Sequence, residues 1–540
     1  MSSPPPPPGG RRDGSRSALS VGAGISLSRV TGFLRDAVFA FFFGTGVAAD
    51  AYAAALRIPN VLRNLLGEGT LSASLIPVYT ALLQRGDDAG ARRLAGTLWS
   101  GLWILAAALS LVGILAAPWL TSALVPGWER EATELTVRLV RILFPMAGFM
   151  ILGGWCLGIL NSHRRFFLPF AAPVLWNATQ ILALWIAAAV GAAPLIVVLA
   201  WATLLGGALQ FAVQVPATAR LLKGLPWSFD WRSAAPRTVV RNFAPVVTSA
   251  GVFQVSSFVD VILASFVAHG AISALYYAQR LYTLPLSLFG IAVAAAALPE
   301  LSRDADAEAG AAVRRRLSDG FRQILFFVFP SAAAFLAFGD LMVGLLYQRG
   351  DFGPESALVV SVILAAYAFG LAAAASVRLF ASGFHAMLDT RTPLRYAVAA
   401  VAVGVVVGGG LLFGLRGRVV PGALAAAGLA AGSALGAWLN VTLLWRGLRN
   451  RIGAIFSWAD LQYVLGVGTA CLPAAAAALA AETLLKPSVP EATTLGRLVL
   501  FLGASAVFGV IYWAATKALG VARPGWIPGP VVPGSTDDNL

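Results

Sequence analysis

About fourteen apolar segments follow one another along this chain of 540 residues, each near the length of about 20 residues that crosses a hydrocarbon core of about 30 Å. The composition agrees, since 58% of the residues are hydrophobic and only 12% are charged. A water-soluble globular domain does not have this balance. The sequence therefore predicts an all-α polytopic membrane protein with about 14 transmembrane helices.

Alternate loops between these segments carry the lysines and arginines, as loops on the cytoplasmic side of a membrane do. The loops 44–49 and 191–194 contain neither residue, and the pair Arg416 and Arg418 is the exception to the alternation. We therefore expect an even number of spans and both termini in the cytoplasm. Because the basic residues are spread through short loops, the net charge of +14 does not indicate a nucleic-acid partner.

A weak internal repeat relates two halves of the chain. Three positions recur after about 223 residues, namely Arg57, Gly67 and Pro77 as Arg280, Gly290 and Pro299. Two parallel six-helix lobes of this kind are typical of secondary transporters. We expect a first lobe over 17–225, a second over 226–450 and two further helices over 451–521. The flanking segments 1–16, which we expect to be a disordered basic tail, and 522–540 lie outside them.

Arginines in the first, second and eighth spans are the strongest functional signal. They are Arg29, Arg35, Arg63 and Arg280. A charge near the centre of a span costs on the order of 3 kcal/mol, so such residues are expected to face water, a partner or an anionic ligand. Guanidinium groups stay charged and fork onto phosphate oxygens. A cationic cavity that binds a diphosphate is the resulting hypothesis.

The second span adds further polar residues to this hypothesis. Pro59 is expected to break its helix, after which Asn60, Arg63 and Asn64 share one face. Glu68 lies between two glycines, where we expect a kink or a close helix approach.

Structural roles are open for several of these residues. Arg57 and Arg63 can snorkel to a membrane face, and Arg35 can pair with Asp36. Asp50 opens the second span, where a helix N-cap is as consistent with the sequence as a functional carboxylate.

Two carboxylates in the second half are candidates for a coupling monovalent cation or a proton. Asp260 is alone in an apolar helix, and Asp389 begins the eleventh span. A salt bridge from Asp389 to Arg391 or Arg395 is the alternative. We find no nucleotide-binding glycine loop, nucleophile elbow or zinc motif, so we expect a transporter rather than an enzyme and no resident cofactor.

Several segments resemble the MurJ/MviN family of lipid II flippases, within the MOP exporter superfamily. They are SRVTGFLRDAVFAFFFGTG, RIPNVLRNLLGEGTLSASLIPVY, YYAQRLYTLPLSLFGIAVAAAALPELSR and GFHAMLDTRTP. The resemblance implies two six-helix lobes plus two C-terminal helices that form a groove for the lipid tail. Its other implications concern the substrate, the membrane and the partners.

The implied substrate is the undecaprenyl-diphosphate-linked peptidoglycan precursor, which is moved across the bacterial inner membrane. Membrane lipids and cell-wall synthesis and division proteins are the implied partners. An exporter of another polyprenyl-linked oligosaccharide is the alternative function. The positions of Arg29, Arg35, Arg63 and Arg280 match the cavity arginines of the family, and Asp50 and Glu68 match its acidic positions. A sodium site would include Asp260 and Asp389.

Overall fold

Long α-helices make up nearly all of the computed structural model, which describes residues 10–291, 293–294, 310–415, 422–489 and 493–521. No β-strand occurs within these residues. The helices are α1 (Gly10–Phe43), α2 (Val47–Leu66), α3 (Glu68–Gln84), α4 (Asp88–Leu124), α5 (Arg130–Ser162), α6 (Phe167–Ala171), α7 (Pro173–Ala189), α8 (Leu195–Ala212), α9 (Val215–Leu221), α10 (Ala234–Ser265), α11 (Ala271–Pro285), α12 (Gly310–Tyr347), α13 (Pro354–Ala386), α14 (Arg391–Leu415), α15 (Ala427–Ile452), α16 (Trp458–Leu485) and α17 (Thr494–Ala518). A π-helix, Leu286–Ile291, follows α11 directly.

Ten helices among the described residues are long and apolar enough to cross a membrane. The all-α multi-pass fold is therefore confirmed, and the number fourteen stays a prediction. The four remaining predicted spans correspond to α1, to α2 with α3, to α10 and to α11. These are the first two spans of each predicted lobe, and they contain all of the charged candidate residues except Asp389. Within the predicted repeat, Arg57 of the second span corresponds to Arg280 of the eighth.

Two local expectations are wrong. Helix α2 continues through Pro59, which is itself buried, and ends at Gly67 instead. Burial among neighbouring helices tolerates a proline within a membrane helix, whereas Gly67 allows a sharp change of direction into α3. The kink expected beside Glu68 is therefore present. The second wrong expectation concerns the N-terminal segment 1–16, which was expected to be disordered. From Gly10 onward it is part of helix α1, because elongating an existing helix is easier than starting one. Residues 1–9 and 522–540 lie outside the described part.

The described residues divide into two compact units. Residues up to Tyr277, with 347–356 and 422–426, form the first, and the rest from Ala278 onward form the second. In the first unit, buried side chains of α3, α4 and α5 such as Tyr79, Trp99 and Trp155 form a continuous core. The division falls within α11, so the lobe boundaries drawn from the sequence stay a prediction.

The segment 347–356 is held in the first unit by the turn between α1 and α2. The Asp351 amide donates to the Phe41 carbonyl at 2.9 Å, and the Thr45 and Ser356 hydroxyls are 2.6 Å apart. Gly44 has φ +50°, and a Cβ atom there would lie 2.4 Å from the Asp351 carbonyl oxygen. Only glycine satisfies both conditions without strain.

The second unit contains a close contact between α14 and α15. A Cβ atom on Gly432 would lie 2.4 Å from both the Gly404 carbonyl oxygen and the Gly408 Cα atom. Small residues let membrane helices approach to backbone contact, which replaces the hydrophobic driving force that lipid does not supply. The two C-terminal helices, α16 and α17, pack on α12 through residues such as Phe338, Val467 and Tyr512.

An ion pair fixes the start of α16 to α12. Asp460 forms a capping box with Ser457 and accepts from the Arg322 Nε atom at 2.6 Å. The Ser318 hydroxyl donates to the same carboxylate oxygen. The added helices are thereby joined to the second unit by polar as well as apolar contacts.

We predict that Gly432→Ala destabilises the protein by about 1–3 kcal/mol, because the new methyl group meets backbone atoms that cannot move aside. Gly410→Ala is the matched control, since the Gly410 position on α14 is open. Thermal unfolding of the purified protein in detergent measures both. Equal unfolding temperatures for the two variants would contradict the close contact.

Candidate functional site

Arg35 lies in a buried polar network. Its Nε and Nη2 atoms donate to the Asp36 Oδ1 atom at 3.1 and 2.5 Å, and the two side chains are 7% and 4% exposed. Its Nη1 atom donates to the Asn177 Oδ1 atom at 3.2 Å. The guanidinium also lies 4.8 Å from the centre of the Trp176 ring. The structure therefore contains the Arg35 and Asp36 pair that the sequence left as an alternative.

Tyr276 completes this network from α11. Its hydroxyl donates to the Asp36 Oδ1 atom at 3.0 Å and accepts from the Arg35 Nη2 atom at 3.3 Å. Next to it, the Tyr277 hydroxyl donates to the Gly44 carbonyl at 3.1 Å. Three helices, α1, α7 and the first part of α11, thus meet around one ion pair.

Asp50 is buried and caps a helix other than its own. Its carboxylate accepts from the Gly270 amide at 2.6 Å, the Ser273 amide at 2.7 Å and the Ser273 hydroxyl at 2.6 Å. These donors belong to the start of α11, where unpaired amides and the helix dipole favour a negative charge. The alternative that Asp50 caps its own helix α2 is wrong, because the N-cap residue of α2 is Gly46.

The other candidates of the first unit are more accessible. Arg29, Arg63 and Asn60 are partly exposed, and Asn64 is exposed. The Asn60 Oδ1 atom is enclosed and has no hydrogen-bond donor among the described residues. The Glu68 side chain lies outside the described part of the structure.

Arg280 is exposed and belongs to the second unit. Its convergence with the first-unit arginines on one ligand stays a prediction.

Both candidate carboxylates for cation or proton coupling have an arginine as an electrostatic partner. Asp260 is partly exposed, and its charge interacts with Arg57 of α2. Asp389 forms its salt bridge with the Arg451 Nη2 atom at 2.6 Å, whereas Arg391 donates only its backbone amide, at 3.0 Å. No cluster of three or more His, Cys, Asp or Glu residues suited to a metal occurs in the described ranges. Coupling through these residues stays a prediction.

Hydrogen bonds from Thr392, together with the neighbouring Arg451, hold the pKa of the Asp389 carboxyl well below its usual range. Asp389 lies in the turn between α13 and α14. A carboxyl with a lowered pKa remains ionised at neutral pH, which makes it a poor carrier of a proton.

An apolar cavity of about 210 Å³ lies in the second unit. Residues of α12, α13 and α15, such as Phe329, Phe380 and Trp438, line this cavity. Phe456, which precedes α16, and Val464 of α16 complete the lining. No residue of α17 is among its lining residues. The lipid-tail groove beside the last two helices stays a prediction.

Two important partners were missed in the sequence. Asn177 is a lone amide in an apolar helix, and intramembrane polar residues are a general signal of function or specific packing. Ser273 carries no such signal, because serine is common in membrane helices and its role depends on Asp50, which lies far away in the sequence.

Solved structures of membrane transporters share this fold. A lipid II flippase MurJ in an inward closed conformation matches with a TM-score of 0.74 at 22% identity, covering 93% of this chain and 99% of that one. An inward-facing MATE family transporter of the MOP superfamily matches with a TM-score of 0.63 at 16% identity, covering 79% and 95%. At these identities the likeness concerns the fold, which is that of multi-pass transporters.

Sequence similarity is more specific. A family model described as lipid II flippase MurJ matches residues 39–495. The chain is 34% identical over 450 residues to the lipid II flippase MurJ of Burkholderia cenocepacia, covering 81% of this chain and 84% of that protein. A probable lipid II flippase MurJ of Rhizobium meliloti is 32% identical over 523 residues, covering 93% of each. This chain therefore belongs to the MurJ family.

We predict that Asp50→Ala lowers the free energy of unfolding by roughly 1–2 kcal/mol, because two buried amides at the start of α11 lose their acceptor. Asp50→Asn keeps one acceptor oxygen and should cost less. Ser273→Ala, which keeps both amide bonds, is the control. Thermal unfolding of the purified proteins ranks the three variants by stability. An Asp50→Ala protein as stable as the wild type would show that the cap is not structural.

We predict that Asp389→Ala lowers the unfolding temperature equally at about pH 6 and about pH 8. The lowered pKa means that the ionised carboxylate stabilises the fold at all pH values above its usual pKa of about 4, and that this stabilisation is lost only in acid. Asp319→Ala, which removes an exposed carboxylate of α12, is the control. A destabilisation that disappears between these two pH values would instead indicate a titrating group.

Proposed function

We propose that this protein flips lipid II, the undecaprenyl-diphosphate-linked peptidoglycan precursor, from the inner to the outer leaflet of the bacterial cytoplasmic membrane. Membership of the MurJ family carries this proposal, and the arginines within the first, second and eighth predicted spans give it a physical basis. The protein acts as a transporter and catalyses no covalent step. Both termini lie in the cytoplasm, as the distribution of basic loops favours.

The diphosphate is the part of this substrate that guanidinium groups recognise. Arg29, Arg63 and Arg280 are the first residues to meet it, because each is at least partly exposed. Each can form two parallel hydrogen bonds to phosphate oxygens, and such charge-assisted bonds are about twice as strong as neutral ones. Asn60 and Asn64 share a face with Arg63 and contact the neighbouring sugar.

Arg35 joins the diphosphate only by exchanging its bonds to Asp36. Its guanidinium is already held by Asp36, Asn177 and Tyr276. A diphosphate that draws Arg35 away also frees Tyr276 of α11, and this links substrate binding to the movement that alternating access requires. The Asp50 cap opposes that movement until the substrate has bound.

The remaining parts of the cycle follow from chemistry. The polyprenyl tail stays in an apolar groove beside α16 and α17 while the polar head crosses, so no long chain enters the cationic site. The energy comes from an ion gradient, the membrane potential or the consumption of the product, with Asp260 as the carboxylate that would respond to a cation or a proton. Cell-wall synthesis and division proteins supply lipid II and consume it.

We predict that Arg29→Ala and Arg63→Ala abolish growth support in a bacterium depleted of its own flippase, and that Arg29→Ala hardly changes the unfolding temperature. Arg35→Ala should abolish growth and also cost about 3 kcal/mol or more of stability, because Asp36 is left buried without a partner. Growth and thermal unfolding of the same variants provide the two measurements.

The double variant Arg35→Met with Asp36→Leu separates these two roles. Replacing both members of a buried ion pair by apolar residues is often neutral for stability. We therefore expect the double variant to lose less stability than Arg35→Ala and still to fail to support growth. Growth supported by this double variant would remove Arg35 from the substrate site.

A further inference from the structure

A second pair of arginines lies on α5, away from the charged helices. Arg138 and Arg141 are exposed and three residues apart, so they share one face of the helix. Elsewhere α5 is strongly buried, with 89% of its membrane-crossing window enclosed by protein. An exposed cationic face on such a helix requires a specific explanation.

These arginines line a pocket of about 620 Å³ in the first unit, which we call the α5 pocket. Pro118 and Ser122 of α4 form one wall, and Trp201 of α8 forms another. Val137 and Ile142 of α5 add apolar side chains to the lining. The pocket thus combines two cations with largely apolar walls.

The α5 pocket lies near the expected boundary of the hydrocarbon core, from which long arginine side chains can reach lipid headgroups. Helix α5 has 33 residues, so at 1.5 Å per residue it is about 50 Å long and extends about 10 Å beyond each side of a hydrocarbon core of about 30 Å. Arg138 comes eight residues after the start of α5, about 12 Å along its axis. Trp201, which lines the pocket, is exposed, and tryptophan is enriched at this boundary of membrane proteins.

No carboxylate in the described residues pairs with either arginine. Glu134 also lines the α5 pocket, but its Oε1 atom accepts from the Arg130 Nε atom at 2.7 Å. Like charges one turn apart on a helix repel each other. An anion between them would relieve this repulsion.

We propose that the α5 pocket binds the phosphate of an anionic phospholipid headgroup. Two guanidinium groups on one face suit the oxygens of a phosphodiester, and the apolar walls suit the attached glycerol and upper acyl chains. This site is separate from the proposed lipid II site, and its occupant differs from lipid II in lacking a diphosphate.

The test measures thermal unfolding of the full-length protein in detergent while phosphatidylglycerol is added. The lipid should raise the unfolding temperature of the wild type, and phosphatidylcholine should not. In the Arg138→Gln, Arg141→Gln double variant, the lipid concentration that gives half of the shift should rise by about tenfold or more, since two charge-assisted contacts are lost. Because both side chains are exposed, the unfolding temperature without lipid should stay unchanged.

The matched control is Arg164→Gln with Arg165→Gln, which removes the same charge from an exposed pair beyond the other end of α5. It should respond to phosphatidylglycerol as the wild type does. An equal response of the Arg138→Gln, Arg141→Gln variant would overturn the proposal. A response of the wild type to inorganic phosphate alone, or to phosphatidylcholine, would overturn the assignment to an anionic headgroup.

Discussion

The buried ion pair of Arg35 and Asp36 is the interaction on which the first unit depends most. Two opposite charges within an apolar helix are tolerable only when they satisfy each other and their remaining hydrogen bonds. Asn177 and Tyr276 provide those bonds, and in doing so they bring α7 and the start of α11 to α1. Asp50 acts in the same way at the first turn of α11. Helices that lipid alone would not hold together are thereby joined by a few polar contacts.

This arrangement separates the charged residues of the membrane helices into two groups. Arg35, Asp36 and Asp50 are enclosed and satisfied by neighbouring residues. The side chains of Arg29, Arg63 and Arg280 are accessible. From the sequence alone, all of these arginines belong to one cationic set. In the structure, the buried Arg35 must give up its existing hydrogen bonds before it can bind an anion, whereas the other arginines are already accessible. A substrate that exchanges the bonds of Arg35 for its own acts directly on the contacts that hold α11, which is a physical route from binding to conformational change.

Apolar runs predict the helices well, because the bilayer imposes a minimum length and allows little irregular backbone. The kink at Gly67 could also be predicted, since two glycines flank Glu68.

Three features could not be predicted from the sequence. Pro59 remains inside α2 because its surroundings bury it, and surroundings are not visible in a local pattern. Gly270, which donates to Asp50, lies 220 residues away from it, and Tyr276, which donates to Asp36, lies 240 residues away, so only the folded chain brings these residues together. Asn177 had no neighbouring charge in the sequence to mark it. The boundary between the two lobes depends on α11, which contributes to both units.

The most direct test of lipid II flipping by this MurJ family member is to measure lipid II at the outer leaflet. A bacterium depleted of its own flippase would express this chain, and a lipid II-cleaving enzyme added outside the cell would report how much precursor is exposed. We expect the wild-type chain to restore cleavage and Arg63→Ala, present in the membrane at the same level, not to restore it. Absence of cleavage with the wild-type chain well folded in the membrane would contradict lipid II flipping and would favour a related export of another polyprenyl-linked oligosaccharide.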